Sequence, residues 1–205
     1  MKRPASHFIR LTSDEYQHCK EVGDQLTVNN RVDNSNDYAP VVHKRSQYGF
    51  LGCLGEVAFC KYLGIEPNWQ RMKSSAGRGD IDVAELWEIR ATTPNACGYN
   101  GSPLTIWKHN LLKSKTFYSP FVKVCVRFKQ DDSPPTCEIF GWEMGYIICM
   151  EEKLKPRKIG IGEPVIERED HLLNGFVNPD LDVEVAARLR KTYLQVLKNH
   201  NENIF

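Results

Sequence analysis

Residues 79–90, GDIDVAELWEIR, have the most informative pattern in the chain. Apolar and polar residues alternate within it in two short runs, 81–83 and 86–91, and this alternation predicts two β-strands joined by a tight turn. On the second strand Glu88 and Arg90 share one face, because side chains two residues apart on a strand point the same way. The residues next to them point to the other face, which we expect to pack against a core.

The acidic residues of this stretch predict a metal site. A tight turn at 84–85 brings Asp82 or Asp80 beside Glu88, and the strand register, which the sequence leaves open, decides between the two aspartates. Two carboxylates at close range repel each other unless one is protonated or a divalent cation lies between them. Magnesium prefers such oxygen ligands, so we expect Mg2+ here, with Mn2+ as a substitute.

A helix is predicted upstream, over residues 46–63, because apolar residues recur there at spacings of three and four and Gly64 follows. Gly52 and Gly55 each disfavour a helix by about 1 kcal/mol, which predicts that both lie where the helix packs closely against another element. Glu56 falls among the apolar residues of this helix. A carboxylate in such surroundings is costly without a partner, so we expect a cation next to Glu56.

The remaining elements predict an α+β fold. Thr12 and Glu15 have the spacing of a capping box, which predicts a helix over 12–28. The Asn-rich stretch 29–39 is predicted to be an exposed loop, and an amphipathic helix is predicted over 182–199. Further strands are predicted over 104–107, 121–128 and 137–148, the last interrupted at Gly141 or Gly145, and the basic stretch 69–79 is predicted to be irregular.

These features occur in an order that is typical of one family. A helix with the pattern Gly-x-x-Gly-Glu, here ending in Glu56, precedes an aspartate and then Glu-x-Arg, here Glu88 and Arg90, on the next strand. This order resembles the PD-(D/E)XK nuclease superfamily, in which the strand motif is usually Glu-x-Lys. Phage-type members with an Arg variant also carry a Gly-Trp segment, matched here by Gly141-Trp142. The resemblance implies a restriction-endonuclease-like α/β/α sandwich, with a mixed central sheet flanked by helices.

The resemblance also implies an activity, that of a metal-dependent DNA endonuclease or exonuclease that hydrolyses phosphodiester bonds. Arginine stays protonated near neutral pH and cannot act as a general base, so Arg90 is expected to stabilise charge on the phosphate. A phage-encoded enzyme of this kind works in the cytoplasm of a bacterial host. The implied catalytic residues are Glu56, Asp82, Glu88 and Arg90, with Asp80 as the alternative acid, and Asp82, Glu88 and Glu56 are the implied metal ligands.

Local basic stretches predict contacts with DNA phosphates. The whole chain has 27 basic and 26 acidic residues, so its overall charge does not recruit a polyanion. Two stretches, one before residue 79 and one after residue 107, stand out against this balance. The residues expected to bind nucleic acid are Arg71, Lys73, Arg78, Lys108, His109, Lys113 and Lys115.

Composition and length limit the domain organisation and the cellular setting that we expect. The absence of repeats and long linkers predicts that 1–205 forms one domain, with its core at about 46–150. No apolar run approaches the roughly 20 residues of a membrane helix, so no membrane contact is expected. Seven cysteines without a CxxC pair favour free thiols in a reducing cytoplasm. Many enzymes that cut both DNA strands dimerise, so a homodimer is one arrangement that the sequence allows.

Two other interpretations use the same residues. One is a catalytically inactive nuclease-fold module that binds nucleic acid or a protein partner, with Arg90 as the sign of lost turnover. In the other, Glu88 and Arg90 form an ion pair on one strand face, Asp80 and Asp82 are turn residues, and Glu56 pairs locally. Metal dependence distinguishes the enzyme from both.

Overall fold

The structure, a computed structural model, describes residues 6–33, 42–73, 82–94, 104–107, 117–151, 165–168 and 173–202. These residues form a mixed α+β fold, as the sequence predicts. The helices are α1 (Ser13–Asp33), α2 (Val42–Leu63), α3 (Trp69–Lys73), α4 (Gly145–Glu151) and α5 (Pro179–Glu202). The strands are β1 (His7–Arg10), β2 (Glu88–Thr92), β3 (Leu104–Trp107), β4 (Pro120–Arg127), β5 (Thr136–Met144) and β6 (Val165–Arg168).

Four strands form a mixed sheet in the order β1-β5-β4-β2. Strands β2 and β4 run parallel, with Glu88 opposite Phe121 and Arg90 opposite Lys123. Strand β5 pairs antiparallel with β4 on one side and with β1 on the other. Among the strands that the structure describes, β2 is therefore an edge strand of this sheet. Strands β3 and β6 form a separate antiparallel pair.

Helix α2 packs against one face of the mixed sheet. The two approach each other closely at Gly55, where a Cβ atom would lie 2.9 Å from the Ala91 Cβ atom and 3.2 Å from the Ile89 Cγ2 atom of β2. Gly52 has open space around it. The prediction that both glycines mark close packing is therefore confirmed for Gly55 and wrong for Gly52. The close approach at Gly55 brings the following residue, Glu56, beside the edge strand.

The opposite face of the sheet carries a second, smaller core. Phe121 and Cys125 of β4 and Phe140 of β5 are buried there against Leu104 of β3 and Ile148 of α4. Both faces of the sheet are therefore covered in its central strands. Polar groups on this second face lie in buried surroundings rather than in solvent.

Several predicted helices and strands begin or end at other residues in the structure. Helix α1 continues to Asp33, so the first five residues of the predicted loop 29–39 are helical. Helix α2 begins at Val42 and ends as predicted before Gly64, whose φ of 68° is favoured by glycine. The strand predicted over 137–148, with an interruption at Gly141 or Gly145, ends at Met144, and α4 starts at the second of these glycines.

Three short elements were not predicted. Strand β1 has only four residues and alternates between half-buried and exposed positions, so pairing with distant β5 determines it. Helix α3 forms in the stretch 69–79 that was predicted to be irregular, and the Asn68 Oδ1 atom caps it by accepting the Arg71 N–H at 3.0 Å. The third is β6. No helix in the described parts of the chain is long and apolar enough to span a membrane.

Candidate functional site

The four residues predicted to be catalytic lie together at the β2 edge of the mixed sheet. Glu56 lies on α2, Asp82 precedes the turn that leads into β2, and Glu88 and Arg90 lie on β2 itself. The Glu88 side chain is only 4% exposed and the other three are mostly buried. The alternative acid, Asp80, lies outside the described residues.

Ion pairs connect these residues in a series of alternating charge. The Arg71 Nη2 atom contacts the Glu56 Oε2 atom, and its Nη1 atom lies 3.6 Å from the Asp82 Oδ1 atom. The Arg90 Nη1 atom lies 3.8 Å from the Asp82 Oδ2 atom, and its Nη2 atom lies 3.3 Å from the Glu88 Oε2 atom. We call these five residues the carboxylate–arginine cluster. Three carboxylates and two guanidinium groups give the cluster a formal charge of −1.

A backbone turn holds Asp82 in the cluster. The Val83 N–H donates to the Trp87 carbonyl at 3.0 Å, which forms a short antiparallel bridge and returns the chain toward β2. The Asp82 Oδ2 atom then accepts the backbone N–H of Ile89 at 2.7 Å. Because Trp87 is fully buried, the start of β2 is anchored in the core while Asp82 stays at the sheet edge.

The turn itself is strained. Ala84 and Glu85 have φ values of 51° and 53°, and the Leu86 N–H donates to the Val83 carbonyl at 3.1 Å. Positive φ at both central residues is the pattern of a type I′ turn, which Asn and Gly favour and other residues adopt at a cost of about 1 kcal/mol or more each. The tight turn predicted at 84–85 is confirmed.

Burial disfavours the ionised forms of the two acids nearest Arg71, and at Glu56 repulsion by Asp82 adds to it. Burial raises the pKa of Glu56 well above its ordinary value, the Asp82 charge raises it further, and Arg71 opposes the shift. Burial also raises the pKa of Asp82, against the opposing effects of Arg90, the Ile89 N–H and Arg71. The two carboxylates therefore lie close enough to repel each other and depend on cations for their charged state.

A cavity of about 790 Å³ opens beside the cluster. Arg71 and Asp82 lie on its wall, and Asn68, Glu66 and Glu85 also line it. From α5, Arg190 reaches the same cavity, and its Nη1 atom donates to the Glu85 backbone carbonyl. The strained turn thus forms part of the cavity wall and also fixes a side chain from the C-terminal helix.

The donor chemistry of the cluster suits a hard divalent cation. Glu56, Asp82 and Glu88 supply carboxylate oxygens, and the repulsion between Glu56 and Asp82 is relieved by a positive charge. In the arrangement described here the guanidinium groups of Arg71 and Arg90 supply that charge. Within the described residues, no group of three or more His, Cys, Asp or Glu side chains is arranged to hold a metal ion. The ligand types fit Mg2+, but their present positions do not converge.

Two of the residues predicted to bind nucleic acid lie in the described chain, Arg71 and Lys73, and both belong to α3. Arg71 has its guanidinium group in the carboxylate–arginine cluster, with 18% of its side chain exposed. Lys73 is half-buried at the end of α3. The other five predicted contacts lie outside the described residues, namely Arg78, Lys108, His109, Lys113 and Lys115.

Two arginines take positions that sequence reasoning missed. The need of Glu56 for a cation was visible in the apolar pattern of α2, but the identity of that cation, Arg71, was not, because the two residues lie on different helices. Arg190 belongs to an amphipathic helix whose pattern predicts the helix but not the cavity that it reaches. The only local signal at Arg71 is its positive charge in a basic stretch, which predicts a DNA contact rather than a counterion for Glu56.

Comparison with known proteins gives no match. No protein-family model, no curated protein and no solved structure is significantly similar to this chain. Function is therefore inferred from the geometry of the cluster and the cavity.

Proposed function

We propose that this protein is a magnesium-dependent deoxyribonuclease with a restriction-endonuclease-like fold. The observation that carries the proposal is the series of ion pairs that links Glu56, Asp82 and Glu88 at one sheet edge. Glu56 comes from a helix, Asp82 precedes the turn and Glu88 lies on the strand that follows. This order, a helix glutamate, an aspartate and then a strand glutamate, is the one implied by the resemblance to PD-(D/E)XK nucleases.

In this proposal the three acids bind the cation, Arg90 stabilises charge on the phosphate and Arg71 is a counterion of the acids. Asp82 and Glu88 would be the Mg2+ ligands, with Glu56 completing the set or holding a water molecule. Bound Mg2+ would polarise a phosphoryl oxygen and lower the pKa of an attacking water molecule. The backbone N–H of Ile89 donates to the Asp82 Oδ2 atom, which supports the proposal by restricting where this carboxylate lies.

Arg90 would stabilise negative charge on the phosphate. Its guanidinium group is held on both sides, by Asp82 and by Glu88, and its Cζ atom lies 5.1 Å from the centre of the Phe121 ring. A cation fixed in this way before substrate binds needs little reorganisation when charge develops. Because arginine stays protonated, Arg90 would not take a proton from water.

Arg71 would be the counterion of the acids before metal binds. It contacts Glu56 and lies 3.6 Å from Asp82, so it lowers the repulsion that burial has strengthened. A divalent cation between the same acids would replace part of its role. The proposal therefore requires the Arg71 side chain to change its contacts with Glu56 and Asp82 when Mg2+ binds.

A metal titration tests the proposal. Thermal unfolding of the wild type, Glu88→Gln and Glu184→Gln is followed with increasing MgCl2, since Glu184 is an exposed acid on α5 outside the cluster. Mass action predicts that Mg2+ at 100 times its Kd stabilises the wild type and Glu184→Gln by about 2.7 kcal/mol and that Glu88→Gln loses this gain. Equal gains in all three proteins, or no gain in any, contradict the metal site.

A second candidate function is a nuclease-fold module that binds nucleic acid without cutting it. The specific observation in its favour is that Arg71 and Arg90 neutralise the acids in the present arrangement. Such a module would bind DNA with the usual dependence on salt and without dependence on Mg2+. DNA binding that is equal in MgCl2 and in EDTA, together with no cleavage, supports the module over the enzyme.

A further inference from the structure

We propose that the cavity beside the carboxylate–arginine cluster holds one nucleotide unit of the bound DNA strand, with its phosphate on Arg190. This inference rests on the proposed function, because it identifies where the substrate of that site lies. The cavity volume, about 790 Å³, is in the range of pockets that hold small ligands and accommodates a nucleotide.

Arg190 is built into the cavity rather than displayed on the surface. Its Nη1 atom donates to the backbone carbonyl of Glu85, so the guanidinium group is fixed against the turn. Its Nε–H is buried and has no hydrogen-bond partner among the residues that the structure describes. Arg190 lines the cavity, and its guanidinium group is a charged donor that suits an anionic oxygen such as that of a phosphate.

The strained turn explains why Arg190 has this position. Ala84 and Glu85 both line the cavity and both have positive φ values, which point the Glu85 carbonyl to Arg190. Strain of this kind persists where the surrounding structure requires it, and such positions are concentrated at ligand sites. Here the turn holds Asp82 in the cluster on one side and Arg190 in the cavity on the other.

The mixed charge of the cavity favours a nucleotide over a bare anion. Glu66 and Glu85 line it and are exposed, so their charges are screened by solvent. Carboxylates accept hydrogen bonds from the amino groups of bases, whereas a guanidinium group binds phosphate. Arg71 and Asp82 of the cluster also line the cavity, so a phosphate on Arg190 would place the next phosphodiester bond of the strand near Asp82.

The test compares two arginines on one helix. Arg190 lines the cavity, whereas Arg188 is exposed and lies about 200° around α5 from it. Binding of a fluorescent single-stranded oligonucleotide is measured in EDTA at several salt concentrations for the wild type, Arg190→Gln, Arg190→Lys and Arg188→Gln. Thermal unfolding of each variant verifies that it is folded.

We expect Arg190→Gln to raise the Kd for the oligonucleotide about tenfold and to reduce the salt slope by about 0.7, the value for one phosphate contact on a single strand. Arg190→Lys retains the slope, because it keeps the charge, and Arg188→Gln binds as the wild type does. Equal Kd values for Arg190→Gln and Arg188→Gln overturn the proposal. Displacement of the oligonucleotide by a nucleoside monophosphate at similar affinity also overturns it, because the ligand is then a free nucleotide.

Different results would contradict the nucleotide pocket and the nuclease activity. If the wild type cleaves DNA with Mg2+ and Glu88→Gln does not, while Arg190→Gln binds normally, the nucleotide pocket is wrong and the nuclease stands. If Arg190 is required for binding but no preparation cleaves DNA, the pocket stands and the nuclease is wrong. Absence of any oligonucleotide binding by the folded wild type contradicts both.

Discussion

The guanidinium group of Arg71 joins two carboxylates that the sequence separates. Its Nη2 atom contacts Glu56 on α2, and its Nη1 atom lies 3.6 Å from the Asp82 Oδ1 atom at the turn before β2. Asp82 is joined in turn to Arg90 and so to Glu88. One side chain from the short helix α3 therefore neutralises the acids that would otherwise repel one another.

Removal of this side chain should destabilise the protein. Arg71→Ala leaves Glu56 and Asp82 buried near each other without their shared cation, and breaking a buried pair from one side costs about 3 kcal/mol. Urea unfolding at pH 7 measures the loss. Arg188→Ala on the exposed side of α5 is the control and should change the free energy of unfolding by less than about 0.5 kcal/mol. Equal losses in the two variants would show that Arg71 has no structural role as a counterion.

Two glycines of α2 should respond in opposite directions to the same change. Gly55→Ala places a methyl group 2.9 Å from the Ala91 Cβ atom, and overpacking of this kind costs about 2 kcal/mol. Gly52→Ala meets open space and gains helix propensity of up to about 1 kcal/mol. Denaturant unfolding of both variants tests the packing of α2 on β2. A stabilised Gly55→Ala protein would contradict it.

The capping box of α1 should make stability depend on pH. Burial raises the pKa of Glu15, but the Thr12 N–H, which donates to it at 2.6 Å, and Lys61 outweigh burial and lower it below 4.5. A carboxyl whose folded pKa is depressed adds stability above its unfolded pKa and loses it as the pH falls through the folded value. The wild type should therefore exceed Glu15→Gln by about 0.5 kcal/mol at pH 7, as for a partly exposed ion pair, and the gap should shrink below about pH 4.5.

Thermal unfolding of both proteins between pH 3 and pH 7 measures this gap. Glu21→Gln is the matched control, because Glu21 lies on the same helix and is exposed. It should follow the wild type across the whole range. A gap between wild type and Glu15→Gln that is constant with pH would contradict the ion pair with Lys61.

Two buried thiols should resist alkylation in the folded protein. Burial raises the pKa of Cys60 and of Cys137 to about 12, so only about one thiol in ten thousand is ionised at pH 8. Iodoacetamide labelling followed by peptide mass spectrometry should leave both unlabelled in native buffer and label both in guanidinium chloride. Rapid native labelling of Cys137 would show that the core around it opens. Labelling of Cys60, which also lines the cavity, would show that reagent reaches its sulfur from there.

The sequence predicts those parts of the site that depend on local patterns. Alternation puts Glu88 and Arg90 on one face of β2, and helical spacing puts Glu56 among apolar residues of α2. The sequence therefore identifies both acids as candidate site residues. The end of α2 at Gly64 and the turn at 84–85 are equally local. All of these features follow from residues within one turn or strand of each other.

The remainder depends on contacts between distant parts of the chain. Arg71 reaches Glu56 from another helix, and Arg190 reaches the Glu85 carbonyl across more than a hundred residues, so no short pattern records either contact. The glycine spacing of α2 likewise gives no reason to separate Gly55, which meets β2, from Gly52, which does not. Lys123 looks like a surface lysine in a basic stretch, yet it is 1% exposed on the second face of the sheet.

Cleavage of supercoiled plasmid tests whether the carboxylate–arginine cluster is a nuclease site. Wild type, Glu88→Gln and Glu184→Gln are compared under the same conditions with MgCl2 and with EDTA, after thermal unfolding has verified that each is folded. We predict that the wild type and Glu184→Gln cut the plasmid only with Mg2+ and that Glu88→Gln cuts at least about a hundredfold more slowly. Cleavage by Glu88→Gln at the wild-type rate, or no cleavage by the folded wild type with Mg2+ or Mn2+, would contradict the claim that the carboxylate–arginine cluster is a nuclease site.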